Sequence, residues 1–323
     1  MKKSETPPVT LGEIGERETI RRLARLTGAL PADGVGIGDD CAVVPVEGSA
    51  WDWVLTSDPL MEGRHFLPDA DPERIGRKAI GRVLSDIAAM GAEPLWLLID
   101  VIAPRTFSME RLESVYRGAV AQARRFGAVI VGGDTACGDL FELHVFGVGR
   151  VPRGTAVRRS GAKVGDALYV TGALGGSSKG RHLDIEPRLT EGRWLREGGW
   201  AQSMMDLSDG LASDVRRILE LSQVGAVIHA DWIPLSPDAC GAEGDPVERA
   251  LREGEDYELL FSVRPEQCEA LEVAWHEAFS LRCTRIGSVT EESGVLLLAD
   301  AAGRCRVYPH GGYEHFVECG DSR

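Results

Sequence analysis

Short apolar runs that break off at a carboxylate recur along this chain, and few architectures accommodate that pattern. Trp51–Thr56 runs into Ser57-Asp58, Ala128–Val131 into Gly132-Gly-Asp134, and Gly254-Glu-Asp256 leads into Tyr257–Val263. Segments of helical period lie among them, at 10–30, 73–90, 109–126, 211–222 and 265–279. Strands that alternate with helices in both halves specify an α/β (α+β) fold. Loops at strand ends are where such folds build sites on a rigid scaffold. A chain of 323 residues has room for two cores. The Pro and Gly punctuation over Val151–Gly165 marks the boundary, giving domains 1–152 and 153–323.

The stretch Val35-Gly-Ile-Gly-Asp-Asp-Cys-Ala-Val-Val44 places Asp39 and Asp40 side by side after a glycine turn. Neighbouring side chains on an extended backbone point to opposite faces, so at most one of the two faces a given site. A solvated acidic turn would explain this pair by itself. Its repetition elsewhere points instead to a divalent cation. Asp86 lies beside the apolar stripe of Ile75, Ala79, Val83, Ile87 and Met90 rather than opposite it, which calls for a partner, a metal or a cleft. In Met204-Met-Asp206-Leu-Ser208-Asp209-Gly, Ser208 is expected to cap the following helix, with Asp209 in its first turn. A helix start of that kind suits a phosphate. Capping alone would leave Asp206 unexplained.

Several chemistries are excluded. A net charge of -14 argues against nucleic acid or an anionic membrane as the main partner. The seven cysteines contain no CxxC pair, which fits neither a zinc site nor a disulfide framework and suits a reducing cytoplasm. No apolar core follows Lys2-Lys3, and no run approaches a membrane span. Thr171-Gly-Ala-Leu-Gly-Gly-Ser177 is not a Walker A loop, and Gly36-Ile-Gly38 reaches Cys41 where a dinucleotide fingerprint needs glycine. The segment after Asp206 also lacks the alternating acids of an EF-hand. Carboxylates without a matching set of His or Cys suit Mg²⁺, and Mg²⁺ amid many carboxylates suggests a polyphosphate.

Taken in order, Gly36-Ile-Gly-Asp-Asp40, Thr56-Ser-Asp58, Leu84-Ser-Asp86-Ile-Ala-Ala-Met-Gly-Ala-Glu-Pro94, Gly132-Gly-Asp134-Thr, Thr171-Gly-Ala-Leu-Gly175, Asp206-Leu-Ser-Asp-Gly-Leu211 and Gly254-Glu-Asp-Tyr-Glu258 span nearly the whole chain. Together they resemble the thiamine-monophosphate kinase family, in the superfamily of aminoimidazole ribonucleotide synthetase and selenophosphate synthetase. The resemblance implies a two-domain PurM-like fold whose N-terminal mixed sheet pairs across a homodimer interface, with a C-terminal α/β domain completing the site. It implies transfer of a phosphoryl group from ATP to thiamine monophosphate, directly and in line, with Mg²⁺. By motif matching, Asp40, Thr56, Ser57, Asp58, Asp86, Asp134, Asp206 and Asp209 would hold metal, with Asp58, Asp206 and Asp209 the catalytic carboxylates. Gly133, Asp134, Arg159, Ser208 and Tyr116 would contact ATP, held mainly by the N-terminal half. His65, Glu255 and Tyr313 would contact the acceptor, a tyrosine face suiting the thiazolium cation.

The chain departs from the family pattern at Ala136-Cys137, where an arginine is usual, and at Glu253, which replaces a glycine. A helical segment is also shortened near 177–187 relative to the family pattern. Two other readings compete. One is a sister ATP-dependent enzyme with a different acceptor, although the glycine-rich Cys loop of selenophosphate synthetase is absent. The other is a non-catalytic nucleotide-binding regulator, which the retention of every implied metal carboxylate disfavours.

Overall fold

The computed structural model describes residues 9–28, 33–309, 313 and 316. After helix α1 (Leu11–Ala24) comes a mixed sheet of β1 (Ala42–Pro45), β2 (Trp51–Met61), β3 (Glu93–Ala103), β4 (Val129–Gly132), β5 (Thr135–Cys137) and β6 (Glu142–Pro152). Its order is β1-β2-β6-β3-β4, with β5 also on β3. Pairing is antiparallel except where β3 meets β4 and β5. Helix α2 (Pro72–Ala89) packs across β2 and β6, and α3 (Met109–Arg125) packs on α2 and β4.

The second sheet holds β7 (Ala167–Thr171), β8 (Ser203–Asp206), β9 (Gly225–His229), β10 (Leu259–Val263), β11 (Cys283–Thr290), β12 (Leu296–Ala299) and β13 (Cys305–Val307), in the order β13-β12-β9-β11-β7-β10-β8. Around it lie α4 (Leu189–Glu197), α5 (Leu211–Ser222), α6 (Pro237–Cys240), α7 (Pro246–Arg252) and α8 (Cys268–Ala278). Leu168, Val170 and Leu260 join the core under α5, while Tyr169, Phe261 and Val263 join the core under α8. A strand buried on both faces reads as a continuous apolar run, as Ala167–Val170 does. The expected α/β architecture with two sheets is therefore present.

Helix α2 is the element that ties the halves together. Asp71 caps it, accepting from the backbone N–H groups of Glu73 and Arg74 at 2.8 and 3.1 Å, and Pro72 fits the first turn, where no N–H is needed. Ile75, Ala79, Val83 and Ile87 recur one turn apart and face the first sheet, all essentially inaccessible to solvent. The helix also touches β8 and α4 of the second half. The opposite face of the first sheet is open: Trp51, Trp96, Leu98, Val129, Val131 and Phe146 are exposed.

Three local expectations are corrected. Helix α1 ends at Ala24, Gly15 inside it has φ 71°, and none of its residues is buried, so the apolar stripe expected over 10–30 meets no core within 10–28, residues 29 and 30 lying outside the described ones. Strand β2 does not stop at Thr56 but continues through Asp58 to Met61. Its partner β1 reaches only to Leu55, so beyond that point one edge of β2 is released from pairing, and Pro59 costs no ladder bond. Thr56-Ser-Asp58 thus sits at a strand edge, not a strand end. Lastly, α5 begins at Leu211 with Gly210 as N-cap at φ 99°, so Ser208 does not cap it and Asp209 precedes its first turn. The reason is local pairing: Ser208 O accepts from Glu255 N and Leu207 O from Tyr257 N, both at 2.8 Å, which holds this segment extended.

Candidate active site

Four separate elements deliver carboxylates to one cleft of about 760 Å³. Asp40 comes from the turn before β1, Asp58 from the opened edge of β2, Asp86 from the last turn of α2, and Asp206 from the end of β8. Oxygens of Asp40, Asp86 and Asp206 all lie within 4.8 Å of one another. Alternation along β2 sends Thr56 and Asp58 to the α2 side, where Thr56 Oγ1 donates to Asp86 Oδ2 at 2.5 Å. Ser57, between them, is exposed and borders the cleft. Ser85 Oγ donates to Asp206 Oδ2 at 2.6 Å, joining α2 to β8.

Crowding these acids has an electrostatic cost. Asp86 is pushed well above the usual carboxylate range by desolvation and by repulsion from Asp206, Asp58 and Asp40. Asp206 is raised by burial and by Asp40, against the opposing pull of Ser85 and Arg159. Asp39 is raised to about 6 by burial and by Asp40. A divalent cation relieves all three, and a donor set made only of carboxylate and hydroxyl oxygens fits Mg²⁺. The fit is supported by Asp40 Oδ2, which is buried with no hydrogen-bond partner among the described residues.

Five arginines line the same cleft, Arg64, Arg82, Arg159, Arg217 and Arg252, and three of them pair with its carboxylates. Arg159 donates from Nη2 to Asp40 Oδ1 at 2.5 Å, while its backbone N–H donates to both Asp39 oxygens at 3.2 Å. Arg82 grips Asp58 with two hydrogen bonds. Arg217 pairs with Asp209 and also reaches Asp214, whose carboxylate accepts from Asp209 N at 3.0 Å.

At the other end of the cleft, Lys78 is fully buried, one turn before Arg82. Its ammonium donates to His65 O at 2.6 Å and pairs with Glu255 at 2.5 Å, with His182 Nδ1 2.6 Å away. Burial lowers Lys78 to about 8. Burial also works against the Glu255 charge, but His182 and Lys78 outweigh it and hold this carboxyl at about 2. Glu255 and Tyr257 both adopt positive φ, 68° and 51°, a strain that the two hydrogen bonds to Leu207 and Ser208 sustain. His65 Nδ1 accepts from Met61 N at 3.0 Å, which puts its neutral-form proton on Nε2. Tyr313 lines the cleft with its backbone N–H on Asp209 O, and the Arg64 guanidinium stands 5.2 Å from its ring centre.

The structure thus brings together Asp40, Thr56, Ser57, Asp58, His65, Asp86, Arg159, Asp206, Ser208, Asp209, Glu255 and Tyr313. It does not bring Gly133, Asp134 and Tyr116 into this cleft. They gather around Asp100 on the first sheet: Asp134 N donates to Asp100 Oδ1 at 2.8 Å, and the Asp100 charge acts on Tyr116. Gly133 has φ 150°, and a Cβ there would meet Ile99 O at 1.9 Å, so only glycine fits. Sequence reasoning missed Lys78, Arg82, Ser85, Asp100 and Arg217. The signal for two of them was present, because Lys78, Arg82 and Asp86 repeat at i, i+4 and share a helix face.

Comparison with known proteins completes the picture. Residues 38–151 match the family model for the AIR synthase related protein N-terminal domain, and residues 163–298 match the one for its C-terminal domain. A thiamine-monophosphate kinase of Escherichia coli (strain K12) is 37% identical over 311 residues, covering 88% of this chain and 92% of that protein. The chain belongs to the thiamine-monophosphate kinase family. Among solved structures, AaThiL complexed with AMPPCP and TMP superposes with a TM-score of 0.83 at 30% identity, covering 96% of this chain and 100% of that one. The thiamine-monophosphate kinase from Stenotrophomonas maltophilia K279a gives 0.72 at 31% identity, covering 90% and 96%. Among the described residues, no helix is long and apolar enough to cross a membrane.

Proposed function

We propose that this chain transfers the terminal phosphoryl group of ATP to the phosphate of thiamine monophosphate, giving thiamine diphosphate and ADP. The observation that carries the reading is the convergence of Asp40, Asp86 and Asp206 in a cleft whose walls also bear Arg82, Arg159 and Arg217. Family membership and the AMPPCP and TMP of the AaThiL structure support the same donor and acceptor. Asp40, Asp86 and Asp206 would hold Mg²⁺, which when bound supplies charge neutralisation along the phosphates.

The protein's own groups supply position. Thr56 and Ser85 fix the carboxylates of Asp86 and Asp206 by hydrogen bonds. Arg159, Ser208 and the Arg217–Asp209 pair face the nucleotide phosphates, and His65, Glu255 and Tyr313 form the acceptor end. No covalent intermediate is needed when two phosphates are held in line. Residues 1–152 and 153–323 are read as the two domains, with the cleft between them and the protein in the cytoplasm. The open apolar face of the first sheet is read as a homodimer interface. Gly133, Asp134 and Tyr116 then act on the nucleotide in the cleft of the partner subunit. Incubation with ATP, Mg²⁺ and thiamine monophosphate, followed by separation of thiamine species, tests this. Thiamine diphosphate should form, and chelator should abolish it. Its absence with folded protein refutes the reading.

A further inference from the structure

One ammonium stands directly behind the acceptor end of the cleft. Lys78 lies on α2 beside the buried Ile75 and Ala79, is itself fully buried, and is not among the residues that line the cleft. Its Nζ donates to His65 O at 2.6 Å and pairs with Glu255 Oε1 at 2.5 Å, and His182 Nδ1 lies 2.6 Å away. An ammonium has three N–H bonds, and here it has three partners. None of them belongs to α2. His65 follows β2, His182 sits in the helical turn Arg181–Leu183, and Glu255 precedes β10.

Other bonds already fasten the backbones of these three segments. Glu255 N donates to Ser208 O at 2.8 Å, and His65 N to Met61 O at 2.9 Å. The turn that carries His182 is held by Arg74 Nη2 on Gly180 O and by Arg181 Nη2 on Asp256, both at 2.8 Å. Packing alone does not call for an ammonium at this place, since an apolar side chain would fill it at a lower desolvation cost. What Lys78 adds is a charge-assisted bond to the Glu255 carboxylate, which is 28% exposed and forms part of the cleft wall.

We infer that Lys78, braced on the His65 carbonyl, is the positioning residue of the acceptor end: it holds the Glu255 carboxylate in the one orientation that faces an incoming acceptor. The inference deepens the proposed function and rests on its assignment of Glu255 to the acceptor. Lys78 acts through Glu255 and touches neither substrate. An acceptor with a cationic ring draws on that anion before and during transfer alike, so losing Lys78 weakens acceptor binding and leaves the transfer step unchanged. The nucleotide contacts lie at the other end of the cleft and keep their partners.

The test measures initial rates of thiamine diphosphate formation by the full-length protein, with thiamine monophosphate and ATP varied in turn. Lys78→Met should raise the acceptor KM about tenfold, with kcat and the ATP KM unchanged. Glu255→Gln should raise the acceptor KM as well, and adding Lys78→Met to it should raise it no further, because both act through one carboxylate. If Lys78→Met does not fold, Lys78→Gln, which keeps an N–H donor, takes its place in both arms and should raise the acceptor KM less steeply. An unchanged acceptor KM in the Lys78 variant overturns the inference. So do equal losses in kcat and both KM values, as a merely structural role would give, or effects that multiply in the double variant. An unchanged acceptor KM in Glu255→Gln strikes Glu255 from the acceptor end and the inference with it. A parent that forms no thiamine diphosphate overturns the proposed function itself, which separates the two failures.

Discussion

Replacing Gly76 by alanine separates two physical effects of opposite sign. In an exposed helix the change stabilises by about 1 kcal/mol, because alanine loses less backbone entropy. Here α2 and α3 touch backbone to backbone. A Cβ on Gly76 would stand 1.9 Å from Val115 O and 2.7 Å from Ala119 N, and reciprocally one on Gly118 would stand 1.9 Å from Glu73 O. Reaching the 3.4 Å of ordinary contact requires the helices to part by about 1.5 Å. Ile75, Ala79 and Ile80 around this point are fully packed, and overpacking of such a core costs roughly 1–3 kcal/mol. We therefore expect a net loss of up to about 2 kcal/mol. The shift also carries Arg82, Ser85 and Asp86 away from Asp58, Asp206 and Thr56, to which they are bonded at 2.5–2.7 Å. A displacement of about 1 Å is enough to lower turnover on the order of 100-fold. Thermal melts and kcat/KM on the same preparation read both effects. A Gly76→Ala variant with a raised melting temperature and unaltered turnover, as propensity alone would give, refutes the reasoning.

Three further outcomes follow from the site. Asp206→Asn keeps the Ser85 contact but removes a metal charge, so turnover should fall by orders of magnitude while the melting temperature holds; near-normal turnover removes Asp206 from the metal set. Tyr313→Ala should weaken thiamine monophosphate binding by about 1–2 kcal/mol, the scale of a desolvated cation–π contact, with ATP affinity unchanged; an unaltered acceptor KM with lower thermal stability assigns Tyr313 to packing against Arg64 instead. The Lys78–Glu255 pair gives stability a pH dependence of known sign: Glu255, held at about 2, contributes above 4.5 and loses that contribution as pH falls towards 2. Lys78, lowered from 10.5 to about 8, makes stability rise across that alkaline window, because the unfolded chain binds the proton more tightly. Denaturant midpoints of the parent and Lys78→Met should diverge there, and parallel curves contradict the assignment.

Much of this was legible in the sequence for a physical reason. Strand–helix alternation and the apolar stripe of α2 are local patterns, and they gave the α/β architecture and the position of Asp86. The acidic stretches gave the members of the cleft, because carboxylates in such number need a cation wherever they meet. What stayed hidden depends on pairing between distant segments. Ser208 reads as a helix cap, but Glu255 and Tyr257 hold its segment extended, and that contact lies far away in sequence. Thr56-Ser-Asp58 reads as a strand end, yet β6 carries β2 onward after β1 has stopped. Arg82 carries no signal of its own in the sequence and becomes a clamp only once α2 lies on β2. The group around Asp100 escaped because its residues come from β3, α3 and the turn after β4.

The most direct test of the account follows the phosphorus itself. Protein incubated with Mg²⁺, thiamine monophosphate and ATP labelled at its terminal phosphate should place all transferred label in the second phosphate of thiamine diphosphate, mole for mole with ADP. None should be retained on the protein when the acceptor is omitted. ATP consumed without labelled thiamine diphosphate, or a labelled protein that passes its phosphate on to the acceptor, would contradict direct transfer in this cleft.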